Sequence, residues 1–175
     1  MLKKYLIFFY SIITVFLFTF KSYAETMEIP LNIQIPIFLK SLAYDRTIKN
    51  NIKIGVLSGK DNYNITDSIN NISLKKITHY SFSALNIDNL NSFNAKKIDV
   101  LLITAGNKNK LKEVNKIAKK LGILTFSIIP EYIEEDISIV IKNISDKPKI
   151  IVNLDSLKKE KRDFSSNFLK ICTIR

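Results

Sequence analysis

Among its 175 residues the chain has one cysteine, one histidine and no tryptophan. A lone thiol, Cys172, excludes an intramolecular disulfide, so packing must supply the stability. A lone imidazole, His79, is too few for the usual zinc ligand sets, and a dyad with Cys172 would need an exposed thiol with a positive neighbour. His79 then reads as an ordinary polar residue, and Cys172 as a small hydrophobe on the inward face of the last helix. Glycine and proline are scarce, at four each. Ser58-Gly59-Lys60 lacks the further glycines of a phosphate loop, and there are no repeats, low-complexity tracts or linkers. Acids are outnumbered, 16 against 27 basic residues, for a net charge of +11. That charge is spread thinly. No arginine-rich block or basic stripe with interleaved aromatics exists, so nucleic acid is not an expected partner. Glu131, Glu134, Glu135 and Asp136 lack the alternation and the glycine of a calcium loop and read as a solvated turn. No metal, cofactor or catalytic residue is expected, and the chain reads as a non-enzyme.

One long apolar run is present, from Tyr5 to Phe20, preceded by Lys3-Lys4 and followed by Lys21-Ser22-Tyr23-Ala24. A basic start, an apolar middle and small residues at Ser22 and Ala24 make a secretory signal, cleaved after Ala24. Residues 1–24 are therefore set aside as signal peptide, and 25–175 as one domain in the periplasm. An uncleaved anchor is the competing reading, since the run is long for a signal and short for a span. No cysteine follows Ala24 to accept a lipid.

The rest of the chain is organised around residues 98–129. Val100 to Ile103 is an apolar run of strand length, broken by Thr104-Ala105-Gly106-Asn107. Leu111, Val114, Ala118 and Leu121 recur at helical spacing. Gly122 then closes the helix, and Ile123 to Ile129 is a second buried strand. A strand–helix–strand unit of these lengths is a right-handed crossover between parallel strands. Such strands need cover on both faces. The fold class is α/β: a layered, mostly parallel sheet with helices on both faces.

The remaining elements follow in order. Ile35, Phe38, Leu39 and Leu42 predict a helix over Pro36 to Ile48, with an extended lead-in. Ile52 to Leu57 is a strand, Asp61 to Asn71 a weak helix, and Lys75 to Ala84 a second strand. Asn86 to Asn94 is a short helix or loop with Leu90 and Phe93 turned inward. Pro130 to Asp136 is turn-like. Ile137 to Ile141 and Ile150 to Leu154, joined through Ser145-Asp146-Lys147-Pro148, must pair antiparallel across so short a link. Helices over Asp155–Lys161 and Ser165–Ile174 close the chain, the last with Ser165 as N-cap and Phe164, Phe168, Ile171 and Cys172 facing inward.

Ligands of open parallel sheets bind beyond the carboxyl ends of the strands. Those ends are Ser58-Gly59, Thr104-Ala105-Gly106-Asn107 and Pro130-Glu131. Ser58, Gly59, Thr104, Gly106, Asn107 and Glu131 are thus the candidate ligand residues, with an anion favoured where Gly106 and Asn107 open a helix. Glycine and asparagine also turn chains that bind nothing, and that reading stands beside it.

Two stretches carry a family resemblance. Ile35-Pro-Ile-Phe-Leu-Lys-Ser-Leu-Ala-Tyr-Asp-Arg46, running into Ile52-Lys-Ile-Gly-Val56, resembles the opening of the YfiR family of exported bacterial proteins. Ile151-Val-Asn-Leu-Asp155 and Phe164-Ser-Ser-Asn-Phe-Leu-Lys170 resemble its close. Tyr44, Asp45, Arg46, Asn153, Leu154, Ser165, Ser166 and Leu169 are the residues that carry the match. The resemblance implies a periplasmic regulator that binds the periplasmic sensor domain of a membrane-bound signalling protein, a cyclase or a kinase, with a diguanylate cyclase as the best understood case. A homodimer is left open. The chain lacks the cysteines that give some members disulfides, and the Trp-Pro pair often found after the first helix. Phe38, Tyr44 and Tyr132 are the aromatics near element ends that would anchor a partner. A second resemblance, of residues 98–107 and 122–136 to one lobe of a transporter's solute-binding protein, implies a single-lobed ligand binder instead.

Overall fold

A computed structural model describes residues 28–59, 64–73, 80–88, 90 and 97–175. The apolar leader with Ala24, the Lys75–His79 part of the second predicted strand, and Phe93 lie outside them.

Among the described residues, seven strands form one sheet in the order β2-β1-β3-β4-β5-β6-β7. They are β1 (Asn51–Leu57), β2 (Ser81–Asn86), β3 (Val100–Ile103), β4 (Leu124–Ser127), β5 (Ile139–Ile144), β6 (Lys147–Val152) and β7 (Thr173–Ile174). The first five run parallel, β6 returns antiparallel to β5, and β7 lies parallel to β6. The fold is the layered α/β sheet expected, with the antiparallel pair where the short link required it.

Side chains alternate across the strands, and the alternation builds two cores. Val100 and Leu102 join one with Ile52, Ile54, Val56 and Phe126, while Leu101 and Ile103 join the other. The first core is covered by α1 (Leu31–Leu42), α2 (Asn64–Ser73), Leu157 of α4 (Leu154–Lys159) and Phe168 of α5 (Ser166–Ile171). The second is covered by α3 (Leu111–Leu121) through Leu111, Val114 and Ala118, and by Tyr132 and Ile133. At Gly55 of β1 a Cβ would stand 2.7 Å from Ile98 and 2.9 Å from Ile87, so a larger residue there would push both side chains aside. Gly122 ends α3 at φ 69°, the left-handed cap its position demanded.

Several expected boundaries are corrected. The first helix begins at Leu31, not Pro36, and ends at Leu42. Pro36 sits inside it, where it removes one hydrogen bond to the exposed Asn32, whose carbonyl can turn to water. Beyond Leu42 the chain turns instead of continuing helical. Asp45 takes the Thr47 N–H (2.9 Å) and hydroxyl (2.6 Å) on one carboxylate oxygen and bridges to Phe164. The last helix stops at Ile171 and Thr173–Ile174 forms β7. Ile171 is consequently 66% exposed, not inward. Leu121, also placed inward by its spacing, is 39% exposed. Pro130–Glu135 is a 3-10 helix, not a simple turn.

Candidate functional site

The order 2-1-3-4-5 of the parallel strands puts a topological switch point between β1 and β3. Five of the six expected ligand residues gather there, and they hold one another. Gly59 N–H donates to Thr104 Oγ1 at 3.1 Å, and that hydroxyl lies 3.2 Å from the Leu57 carbonyl. Asn107 Nδ2 donates to the carbonyls of Leu57 (3.0 Å), Thr104 (3.2 Å) and Ala105 (3.3 Å). A Cβ on Gly59 would lie 2.4 Å from Ala105 O. The turns after β1 and β3 are thus in contact, and the chain itself fills the space between Gly59 and Ala105. Gly106, at φ 80°, makes the second turn possible.

The anion expected here is not favoured by the geometry. Gly106-Asn107 opens a 3-10 turn, Lys108–Lys110, and α3 proper starts only at Leu111. The Asn107 side chain points back to Leu57 and caps nothing.

The sixth residue, Glu131, belongs elsewhere. A cleft of about 510 Å³ opens at the carboxyl ends of β4 and β5, walled by Ile128 to Glu131, Ile141 to Asn143, Ala105 and the start of α1. Gln34 of α1 lines it and is 7% exposed. Its Nε2 donates to the Ile29 carbonyl at 2.7 Å, and its Oε1 has no partner. The helix starts there on Pro30, with no side-chain cap and no acid in its first turn.

The opposite end of the sheet is built differently. Glu160, fully buried, accepts hydrogen bonds from Thr125 N–H (3.1 Å), Thr125 Oγ1 (2.6 Å) and Ser138 Oγ (2.6 Å). Ser138 N–H donates to Thr125 Oγ1 at 2.9 Å, so that hydroxyl's proton goes to Glu160. Burial pushes the Glu160 carboxyl up to about 7, against the pull of these donors and of the Arg162 charge. Arg162 Nη2 donates to the carbonyls of Asp99 and Gly122, which lead into β3 and β4. Its Nη1 lies 3.5 Å from the buried Asp45 carboxylate.

Neither Glu160, Arg162 nor Gln34 was singled out in the sequence. The available signal was Thr125 and Ser127 inside an apolar strand, since hydroxyls there require buried partners. Ser127 meets that need with Ile103 O at 2.8 Å.

The residues of the two terminal motifs meet in space. Arg46 N–H donates to Asp163 O (2.8 Å), Ser165 N–H to Tyr44 O (3.0 Å), and the Tyr44 ring stacks 5.2 Å from Phe168. The Arg46 and Asp163 side chains pair at 3.6 Å in solvent. Asn153 caps α4 by accepting from Ser156 N–H at 3.0 Å, and Ser165 caps α5. Leu154 and Leu169 pack against the first core, and Ser166 is exposed. Of the expected partner aromatics, Phe38 and Tyr132 are core residues, 1% and 6% exposed, and present no surface. Phe38 packs with its ring 4.3 Å from that of Phe126. Tyr44 alone of the three is exposed, at 44%.

A family model described as YfiR/HmsC-like matches residues 43–173, from the first of these clasped segments to beyond the second. The chain belongs to that family. The YfiR/HmsC-like proteins are periplasmic, regulatory and non-enzymatic, so membership points to a periplasmic regulator. No curated protein matches the chain. Among solved structures, it is similar to a conserved domain protein from Vibrio cholerae, with TM-score 0.59 and 9% identity over 80% of this chain and 59% of that one. It is also similar to an ABC domain in complex with L-Trp from Streptococcus pneumonia, with TM-score 0.57 and 10% identity over 83% of this chain and 60% of that one. The chain therefore spans about three-fifths of either structure, and at such identity the likeness shows the fold alone. Among the described residues no helix is long and apolar enough to cross a membrane, and no acid–histidine–cysteine group is placed to hold a metal.

Proposed function

We propose that this protein is exported with cleavage after Ala24, and that residues 25–175 act as one domain in the periplasm. There it binds the periplasmic sensor domain of a membrane-bound signalling protein, with a diguanylate cyclase the first candidate, and catalyses nothing. The observation that carries this is the family match across residues 43–173. The clasp of Tyr44–Arg46 onto Asp163–Phe168 supports a place for the contact. It exposes Tyr44 beside α5, whose Ile171 is also bare. An exposed aromatic is the kind of anchor from which interfaces draw most of their energy.

The test is co-purification of the tagged protein from detergent-solubilised membranes, paired with cyclic diguanylate levels after deletion. Capture of a cyclase or kinase, lost in Tyr44→Ala, is expected. An empty capture with unchanged nucleotide levels would reject the role. Light scattering on the same preparation decides whether the regulator is a homodimer. The cleft beside α1 favours a second reading, the single-lobed solute binder, which a metabolite retained through purification would support.

A further inference from the structure

We infer that Arg162 latches the segment that carries Tyr44, and that a proton on Glu160 works the latch. With Glu160 neutral, the guanidinium holds Asp45 and the clasp stays shut. With Glu160 ionised, it is drawn toward Glu160 and the clasp loosens. The latch stands on geometry alone, and its effect on a partner rests on the function proposed above.

Asp45 and Glu160 are the two buried acids among the described residues, and the charge of Arg162, whose side chain is 7% exposed, acts on both. One guanidinium between two carboxyls leaves a net buried negative charge unless one proton is aboard. The Asp45 side is loosely made. Its Oδ2 stands 3.5 Å from Arg162 Nη1, beyond the roughly 2.8 Å of a charge-assisted hydrogen bond, and neither that oxygen nor Arg162 Nε has a hydrogen-bond partner. Nη1 donates instead to Thr47 Oγ1 at 3.2 Å. A buried donor and a buried acceptor left over on one ion pair show that the guanidinium is not locked to Asp45.

The Glu160 side offers no competing charge. Thr125 of β4 and Ser138 ahead of β5 present only hydroxyls and an N–H. The carboxylate of Asp99 takes Lys53 N–H, Asp136 pairs with Lys119, and Asp163 pairs with Arg46. Burial keeps the Glu160 proton in place up to about pH 7. Once it leaves, the new charge attracts a guanidinium that has a spare N–H, in a site where Coulomb forces are little screened. Residues 160–165 carry the change to Tyr44. Glu160 and Arg162 open that stretch, and further along it Asp163 O takes Arg46 N–H and Ser165 N–H donates to Tyr44 O.

The experiment is an NMR titration of the purified protein between about pH 5 and about pH 8.5. It follows the Glu160 carboxyl, Arg162 Nε–H, and the backbone amides of Arg46 and Ser165. All four should move with one midpoint, while the Leu102 amide in the core stays still. Glu160→Gln should hold the other three at their acid positions throughout. Asp45→Asn leaves the guanidinium to Glu160 alone and should move the Glu160 midpoint to lower pH, a shift that a merely structural acid would not show. His79→Gln should leave the midpoint unchanged, which excludes the chain's one histidine as the source. A Glu160 carboxyl that titrates without the clasp amides, or an unmoved midpoint in Asp45→Asn, would overturn the latch. Capture of a partner from solubilised membranes should be several-fold greater at about pH 6 than at about pH 8, and equal in Glu160→Gln. Capture at neither pH would reject the function proposed above, while the resonances still decide the latch. Equal capture at both, with the resonances moving as expected, would overturn the link between latch and partner.

Discussion

Buried polar groups stand at both ends of the parallel strands, and the two ends differ in how many bonds tie them together. At the amino ends of β3, β4 and β5, the oxygens of Glu160 take three donated hydrogen bonds, and Arg162 ties two carbonyls to Asp45. At the carboxyl ends of β4 and β5, Gln34 Oε1 meets nothing and a cleft stands beside it. A densely bonded network rigidifies what it joins even though Asp45 Oδ2 and Arg162 Nε keep no hydrogen bond of their own, whereas Gln34 is held by one bond only. The family motifs belong to the first kind: Asp45 is inside the clamp, and Asn153 caps the helix that ends on Glu160.

The comparison is broken most severely at Arg162. Arg162→Ala would leave the buried Asp45 without its counter-ion and free the Asp99 and Gly122 carbonyls. A loss of about 3–5 kcal/mol is expected in denaturant melts. A loss under about 1 kcal/mol would mean that the amino end is no tighter than the cleft.

Glu160 gives the next largest effect, and its direction is opposite to that of a salt-bridged acid. Its folded pKa, about 7, lies above the unfolded value of 4.5. Between the two the folded chain holds a proton that the unfolded chain has released. Stability from this group therefore falls as pH rises through that window and levels off above it. The drop is on the order of 3 kcal/mol, and Glu160→Gln should remove it. Melts at around pH 5 and pH 8, compared between the two proteins, measure the difference in slope. Parallel slopes would show that the three donors keep the group ionised throughout.

How far the sequence speaks differs between the same two ends. Strand and helix identities were legible because Val100 to Ile103 and Leu111, Val114 and Ala118 obey simple periods, and Gly122 stands where only a left-handed cap serves. The switch-point residues were legible as a place, since strand ends are turns, but not as a closed one. Whether Gly59 and Ala105 touch depends on the register of β1 against β3, which no local pattern encodes. Glu160 and Arg162 looked like members of the charged run from Lys158 to Asp163. Their partners lie 35 and 22 residues away for Glu160, and 63 residues away for Arg162 at Asp99. Phe38 and Tyr132 misled for the same reason, because an aromatic near an element end is buried or bare according to what crosses it. Pro36 hid the first turn of α1, since a proline inside a helix looks like its start.

A smaller loss tests how far the clamp relies on α4. Asn153→Ala removes the side-chain acceptor for Ser156 N–H, a change worth about 1 kcal/mol. The pH slope set by Glu160 should survive it, because Thr125 and Ser138 hold that carboxylate from the sheet. Loss of the slope in this variant would make the helix cap part of the clamp.

The smallest expected effect is at the other end, and it is the one that sharpens the contrast. Gln34→Leu keeps the size of a residue packed at the wall of the cleft and removes both of its polar atoms. One hydrogen bond, to Ile29 O, is lost. Against that, an acceptor that nothing satisfies is also lost, and deleting such a group recovers part of what its burial cost. The two changes oppose each other, so the melt should shift by no more than about 0.5 kcal/mol. A polar residue as buried as Gln34 that can be erased so cheaply contributes little to the fold. A loss of several kcal/mol would instead place Gln34 with Arg162, as a structural bond of α1 to its lead-in.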